Sequence, residues 1–191
     1  MRNCSLLFVF ASLSAVLLAT GCARRSANDI TGQLAPFMRT RDQAVENVAA
    51  GKASLDPASL NQSNVCYGDL RTKAGQYSDF IVGAIQSAAF DESQNETDET
   101  GLEVSIASYN DCLLKLQKVS TAKSSESSLS LLTADWVPAF SQAIVTYWTR
   151  DGALVQSLSP DDKAHLIDQV KSMTAWPDFA SIGAGTPATP R

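Results

Sequence analysis

Histidine is nearly missing from this chain: His165 is the single one in 191 residues. The usual histidine-based zinc sites need a second imidazole, so composition alone excludes them. Positive charge is also short, with 15 Lys and Arg against 20 Asp and Glu and a net charge of −5. A chain of that sign is a poor partner for nucleic acid, and it does not grip an anionic bilayer by charge. The glycine pattern contains no G-x-S-x-G, no P-loop and no G-x-G-x-x-G, which removes the common nucleophile and nucleotide motifs. No apolar run reaches the roughly 20 residues that span a bilayer. Convincing apolar–polar alternation is absent too, and the best strand candidate, Gly101–Ile106, lasts only a few residues.

What is present begins with a leader. Arg2 supplies a short basic region, and Leu6–Leu18 is apolar and uncharged. The small residues Ala19, Thr20 and Gly21 then precede Cys22. That order is a secretory signal rather than a membrane span. Leu18-Ala19-Thr20-Gly21-Cys22 resembles the lipobox of bacterial lipoproteins, with Ala19 where that pattern more often has Leu. The resemblance implies cleavage after residue 21, palmitate-type lipid on Cys22 and a further acyl chain on the new amino group. Two or more chains give stable anchoring where one is marginal. With Ala23 rather than Asp after the cysteine, it also implies the outer membrane, facing the periplasm. Residues 22–33, with Arg24, Arg25, Asn28 and Gly32, read as a flexible tether. Residues 177–191, rich in Gly, Pro, Thr and Ala, read as a flexible tail.

Of four cysteines, Cys4 leaves with the leader and Cys22 takes the lipid. Cys66 and Cys112 remain, in a compartment that permits disulfides, and are expected to pair. The spacing poses a geometric difficulty. If two straight helices met at a polar connection over residues 91–101, Cys66 would stand about 36 Å from it and Cys112 about 15 Å. Either the first helix breaks near Gly68 or Gly75, or Cys66 lies in a segment folded back.

Between tether and tail, residues 34–176 read as one all-α bundle of four or five helices. Tyr67, Leu70, Ala74, Tyr77, Ile81, Ala84 and Ala88 recur at spacings of three and four, as do Leu102, Ile106, Tyr109, Leu113 and Leu116. Each set forms an apolar seam along one helix face. A helix over residues 35–50 carries Leu34, Met38, Val45 and Val48, with Arg41 interrupting the face and Gly51 as cap. Another runs from about Thr133 to Arg150, ending at Asp151-Gly152. Trp136, Phe140, Ile144 and Tyr147 form its stripe. The last starts at Ser159-Pro160-Asp161-Asp162, with a cap, a proline and two acids where the helix dipole favours them.

Candidate chemistry is thin. His165 has Asp161 and Asp168 one turn away, but a surface histidine among acids is the commoner arrangement. Asp91, Ser93 and Asn95 match the first positions of a calcium loop, and the match fails at Glu96 and Leu102. No catalytic residue, metal or cofactor is implied. The chain is therefore expected to be a non-catalytic envelope lipoprotein, attached through lipid on Cys22, that assembles with another envelope protein. A periplasmic small-ligand binder is the alternative, and a cell-wall-directed hydrolase the weaker one. The apolar residues of the aromatic helix that exceed one stripe, Val137, Val145 and Trp148, are the expected partner surface. His165→Ala should change unfolding free energy by no more than about 0.5 kcal/mol in denaturant titrations. Loss of function with the fold intact would make the Asp161–His165–Asp168 face a site.

Overall fold

A proline can open a helix because its nitrogen has no hydrogen to leave unbonded in the first turn. The computed structural model describes residues 30–121 and 129–183. Within them run α1 (Ala35–Ser54), α2 (Pro57–Ser87), α3 (Glu92–Thr121), α4 (Trp136–Ser157) and α5 (Pro160–Thr174), then a 3-10 turn at Phe179–Ser181. There is no strand among the described residues, and Gly101–Ile106 lies inside α3. Proline stands in the first turn of α1, α2 and α5. Asp56 caps α2 by accepting from the N–H groups of Ala58 and Ser59, both at 3.0 Å. Ser159 caps α5 by accepting from Asp162 N–H at 3.1 Å, as its sequence predicts.

α2 is the centre of the bundle. It packs most extensively along α3 and also meets α1, α5 and the 3-10 turn, while α4 lies on α3. Both predicted seams are the packing faces. Tyr67, Leu70, Ala74, Tyr77, Ile81 and Ala84 are buried on α2, and Leu102, Ile106, Tyr109, Leu113 and Leu116 on α3. Ala88 is half-buried and ends α2 in the left-handed region, at φ 52°.

The polar segment 91–101 is not a loop. It forms the first turns of α3, and Asp91 starts them by accepting from Gln94 N–H at 3.0 Å. Early acids suit the positive end of the helix dipole. This removes the cysteine difficulty without breaking α2 or folding it back. Both cysteines stand about 20 residues, roughly 30 Å, from the turn between α2 and α3. Cys66 and Cys112 are disulfide-bonded, with Cα atoms 6.5 Å apart.

Four other boundaries differ from expectation. α1 continues through Gly51 to Ser54, so Gly51 is a buried helical residue rather than a cap. Its buried face is Phe37, Thr40, Ala44, Asn47, Val48 and Gly51, rotated from the expected Met38 and Val45, which are half-buried. Arg41 donates to the carbonyls of Met173 (2.5 Å) and Ala175 (3.3 Å), which serves the last turn of α5. α4 runs past Asp151-Gly152 to Ser157. A helical glycine costs about 1 kcal/mol, and full burial of Val155 favours the extra turns.

The packed chain reaches beyond both expected bounds of the bundle. Ile30, near the close of the supposed tether, is 1% exposed. After Pro177 the chain stays on the bundle through Gly183. Ile182 is buried, and Lys52 Nζ donates to the carbonyls of Phe179, Ala180 (3.3 Å) and Ile182 (2.7 Å). Tyr67 Oη donates to Pro177 O at 2.9 Å. One hydrophobic cluster runs from Ile30 to Ile182, wider than the expected 34–176. Residues 22–29 and 184–191 lie outside the described residues.

The disulfide spans 46 residues, and such a closure is worth about 4 kcal/mol by the loop-entropy estimate. Unreduced, denatured protein should therefore show no alkylation at either cysteine. Reduction should lower the denaturant midpoint, and stoichiometric labelling without reductant would remove the bridge.

Candidate functional site

The aromatic helix was expected to offer Val137, Val145 and Trp148 to a partner. Val137 is fully buried, Trp148 is 8% exposed, and Val145 is half-buried against the core. The three do not form an external patch. Their apolarity is used inside the monomer because α4 is covered on more than one side. Phe37 of α1 meets Trp136 edge-on at 6.3 Å and Phe140 at 6.5 Å. Further along, Phe90 from the α2–α3 turn lies 5.2 Å from Trp148. A helix with neighbours on several sides needs apolar residues beyond one stripe.

The other predicted positions are placed separately. Cys22, Arg24 and Arg25 lie outside the described residues. Cys66 and Cys112 join α2 to α3. His165 is exposed on α5, as are Asp161 and Asp168. Among the described residues, no group of three or more His, Cys, Asp or Glu side chains is placed to hold a metal ion. Cys66 and Cys112 thus serve a structural link, and the His165 face gathers no further ligand.

Three of the concave regions among the described residues lie away from the partner surface expected from the sequence. One, about 720 Å3 and open to solvent, lies at the α2–α3 turn. Phe80, Gly83, Ala84 and Phe90 line its apolar part, and Asp91, Glu92, Ser93 and Gln94 its polar edge. Phe80 and Phe90 stand off the predicted seams, so the periodicity that found the core passed over them. A second cleft of about 300 Å3 flanks the disulfide, between Cys66, Asp69 and Lys73 on α2 and Gly101, Val104 and Ser105 on α3. The third, about 290 Å3, lies between α2 and α5 and includes Arg71, Ser78, Asp79, Lys171 and Thr174. Its hydroxyls are already used. Ser78 Oγ and Thr174 Oγ1 are 2.5 Å apart, and Thr174 donates to Val170 O at 2.8 Å. Arg71 is used as well, donating to Trp176 O at 3.3 Å and pairing with Asp178 at 2.5 Å.

Several buried polar side chains elsewhere are hydrogen-bonded to side chains or backbone of other segments. Tyr77 Oη donates to Asn95 Oδ1 at 3.1 Å, and Asn95 Nδ2 donates to Ser141 Oγ at 2.7 Å, linking α2, α3 and α4. Asn47 exchanges both its amide groups with the backbone of Ser130, at 2.7 and 2.8 Å. Burial makes the tyrosines hard to ionise. It pushes Tyr67 up to about 12, with nearby Arg71 working in the opposite direction. Tyr77 and Tyr109 are raised further by the same desolvation, against hydrogen bonds from Ser141 and Asn47 respectively.

Comparison with known proteins places no relative beside this arrangement: no family model, no curated protein and no solved structure matches the chain.

The tyrosines generate a pH dependence with a definite sign. Below pH 10, their ordinary value, folded and unfolded chains both hold the phenolic protons. Above it the unfolded chain releases them first, so stability falls as pH rises, for Tyr67 over the window from 10 to about 12. Denaturant titrations should show stability falling with pH above 10, with tyrosinate absorbance from these residues appearing together with unfolding. Ionisation of all of them near pH 10 in the folded protein would contradict this account.

Proposed function

We propose that this protein is a lipid-anchored scaffold of the bacterial envelope, which binds another envelope protein and catalyses no reaction. One observation carries the reading: the apolar leader closes on Ala19-Thr20-Gly21-Cys22, in the manner of a lipoprotein signal. Such an anchor holds a domain at a membrane surface, and Ala23 favours the periplasmic face of the outer membrane. The character of the bundle supports a scaffold. Its interior amides and tyrosine hydroxyls are joined in hydrogen bonds that fix helix against helix, which suits a rigid body presenting a surface. No helix among the described residues is long and apolar enough to cross a membrane, so attachment in this proposal rests on Cys22 alone.

A small-ligand carrier is the second reading, and the depression at the α2–α3 turn favours it by size, since ligand sites run to about 300–1,000 Å3. Its open side counts against that reading, because such sites enclose most of their ligand. Native mass measurement on protein extracted from membranes separates the two by the size of what co-purifies.

Cys22→Ser should convert a mature, detergent-requiring species into a soluble or uncleaved one on fractionation. A variant that still behaves as the mature lipidated form would defeat the anchor. In-cell cross-linking of the wild type should yield a discrete adduct of protein size, and the absence of any adduct would defeat the partner.

A further inference from the structure

We propose that the cleft at the α2–α3 turn is the docking site for a Lys- or Arg-bearing amphipathic segment of a partner protein, an inference that rests on the partner-binding reading above. The cleft is lined by half-buried aromatic side chains and by exposed acidic ones. Phe80 and Phe90 are half-buried and meet edge-on at 5.3 Å. Phe80 is stacked on Tyr77 at 6.4 Å, and Phe90 rests on Trp148. Their exposed ring surfaces are thus held from beneath, and little side-chain entropy is left to lose when an apolar group arrives. The turn itself is tied down as well: Gln156 on α4 donates to Ala88 O at 3.3 Å, while Ala88 holds its left-handed conformation.

Charge selects the occupant. The residues lining the cleft include Asp91 and Glu92 and no basic side chain. One oxygen of Asp91 is used in capping α3, and Asp91 and Glu92 are both exposed. The last turn of α2 also carries no basic residue, although 31 aligned peptide units end there with their carbonyls outward. Phosphate-bearing surfaces, whether lipid or nucleic acid, meet the wrong sign. The open side suits a polypeptide segment running across the cleft better than a small molecule that must be enclosed.

Gly83 provides the test. A Cβ built there meets nothing within 4 Å, so the position faces open space. Replacing a helical glycine also favours the helix. Gly83→Leu should therefore remain folded, with a melting temperature no lower than the wild type, while filling the cleft. The probe is a dye-labelled synthetic helical peptide with a Leu face and a Lys face, titrated by fluorescence anisotropy against the full chain in detergent. A matched peptide with Glu for Lys is the control.

The Lys peptide should bind the wild type, and Gly83→Leu should weaken it by about tenfold or more. Glu92→Lys should weaken it as well and should improve binding of the Glu peptide, which a merely loosened fold would not do. Equal binding of the Lys peptide to wild type and both variants would overturn the proposal. So would a wild-type dimer abolished by Gly83→Leu, which would assign the cleft to a second copy, or anionic vesicles bound in competition with the Lys peptide. Any of these results alongside a cross-linked complex in cells removes this cleft and leaves the partner reading standing. The absence of any such complex removes that reading.

Discussion

The axial register of α2 against α3 is the constraint on which the remaining packing depends. These helices share the longest interface in the bundle, and the other elements are laid on the surfaces they create. Apolar seams alone specify a face, but they tolerate sliding, because a seam repeating every 3.5 residues looks similar one heptad along. Two side-chain links remove that freedom. The Cys66–Cys112 bridge ties the arms far from the turn, and the Tyr77–Asn95 hydrogen bond ties them nearer to it. Asn95 then hands the constraint on to Ser141 of α4. A slip by one heptad would leave a buried amide and a buried phenol without partners, at about 1–3 kcal/mol each.

How far the sequence could be read follows from the same division of labour. Both seams, the Ser159-led start of α5 and the pairing of the cysteines are legible because each depends on local spacing, a local cap or compartment. The helical start of α3 was missed because apolar periodicity counts only apolar residues. Yet the seam of Leu102, Ile106, Tyr109, Leu113 and Leu116, continued one heptad upstream, lands on Asn95. Asn95 is 2% exposed and occupies the position the pattern would give to Leu. α1 repeats the case, since its buried face passes through Thr40 and Asn47 at the spacings of three and four that a Leu-bearing seam would show. A polar residue standing at a seam position looks like the end of a helix until its partner is known. That partner lies on another element, where one-dimensional reading does not reach.

The functional surface was misread for a related reason. Apolarity on α4 in excess of one stripe reads as surface left for a partner only if a helix has one inward face. α4 is instead covered by α1, by α3 and by Phe90 from the turn, so Val137 and Trp148 are consumed internally. The aromatics that do reach the surface, Phe80 and Phe90, are scattered in sequence and are brought together only by the turn after α2. Their common neighbours Tyr77 and Trp148 belong to the core, which makes the cleft an outcrop of that core rather than an isolated patch.

The connection from α3 to α4 extends the argument to a segment with no regular structure. Leu129 and Leu132 are buried, while Ser130 and Leu131 between them are exposed. Two exposed residues between two buried ones is not the period-2 alternation of a strand, so the backbone polar groups of this irregular segment need partners other than a strand ladder. Side-chain amides supply those partners. Asn47 satisfies both the N–H and the carbonyl of Ser130, and Asn110 does the same for Leu132 at 2.8 and 2.7 Å. Gln117 donates to Leu129 O at 2.5 Å. The amides sit on α1 and α3, so the irregular segment joins the two helices while bringing the chain to the start of α4. Leucines supply the affinity of this packing and amides supply its register. The same pairing of roles holds between α2 and α3, and it explains how a chain with so few charged contacts in its interior still specifies one arrangement of its helices.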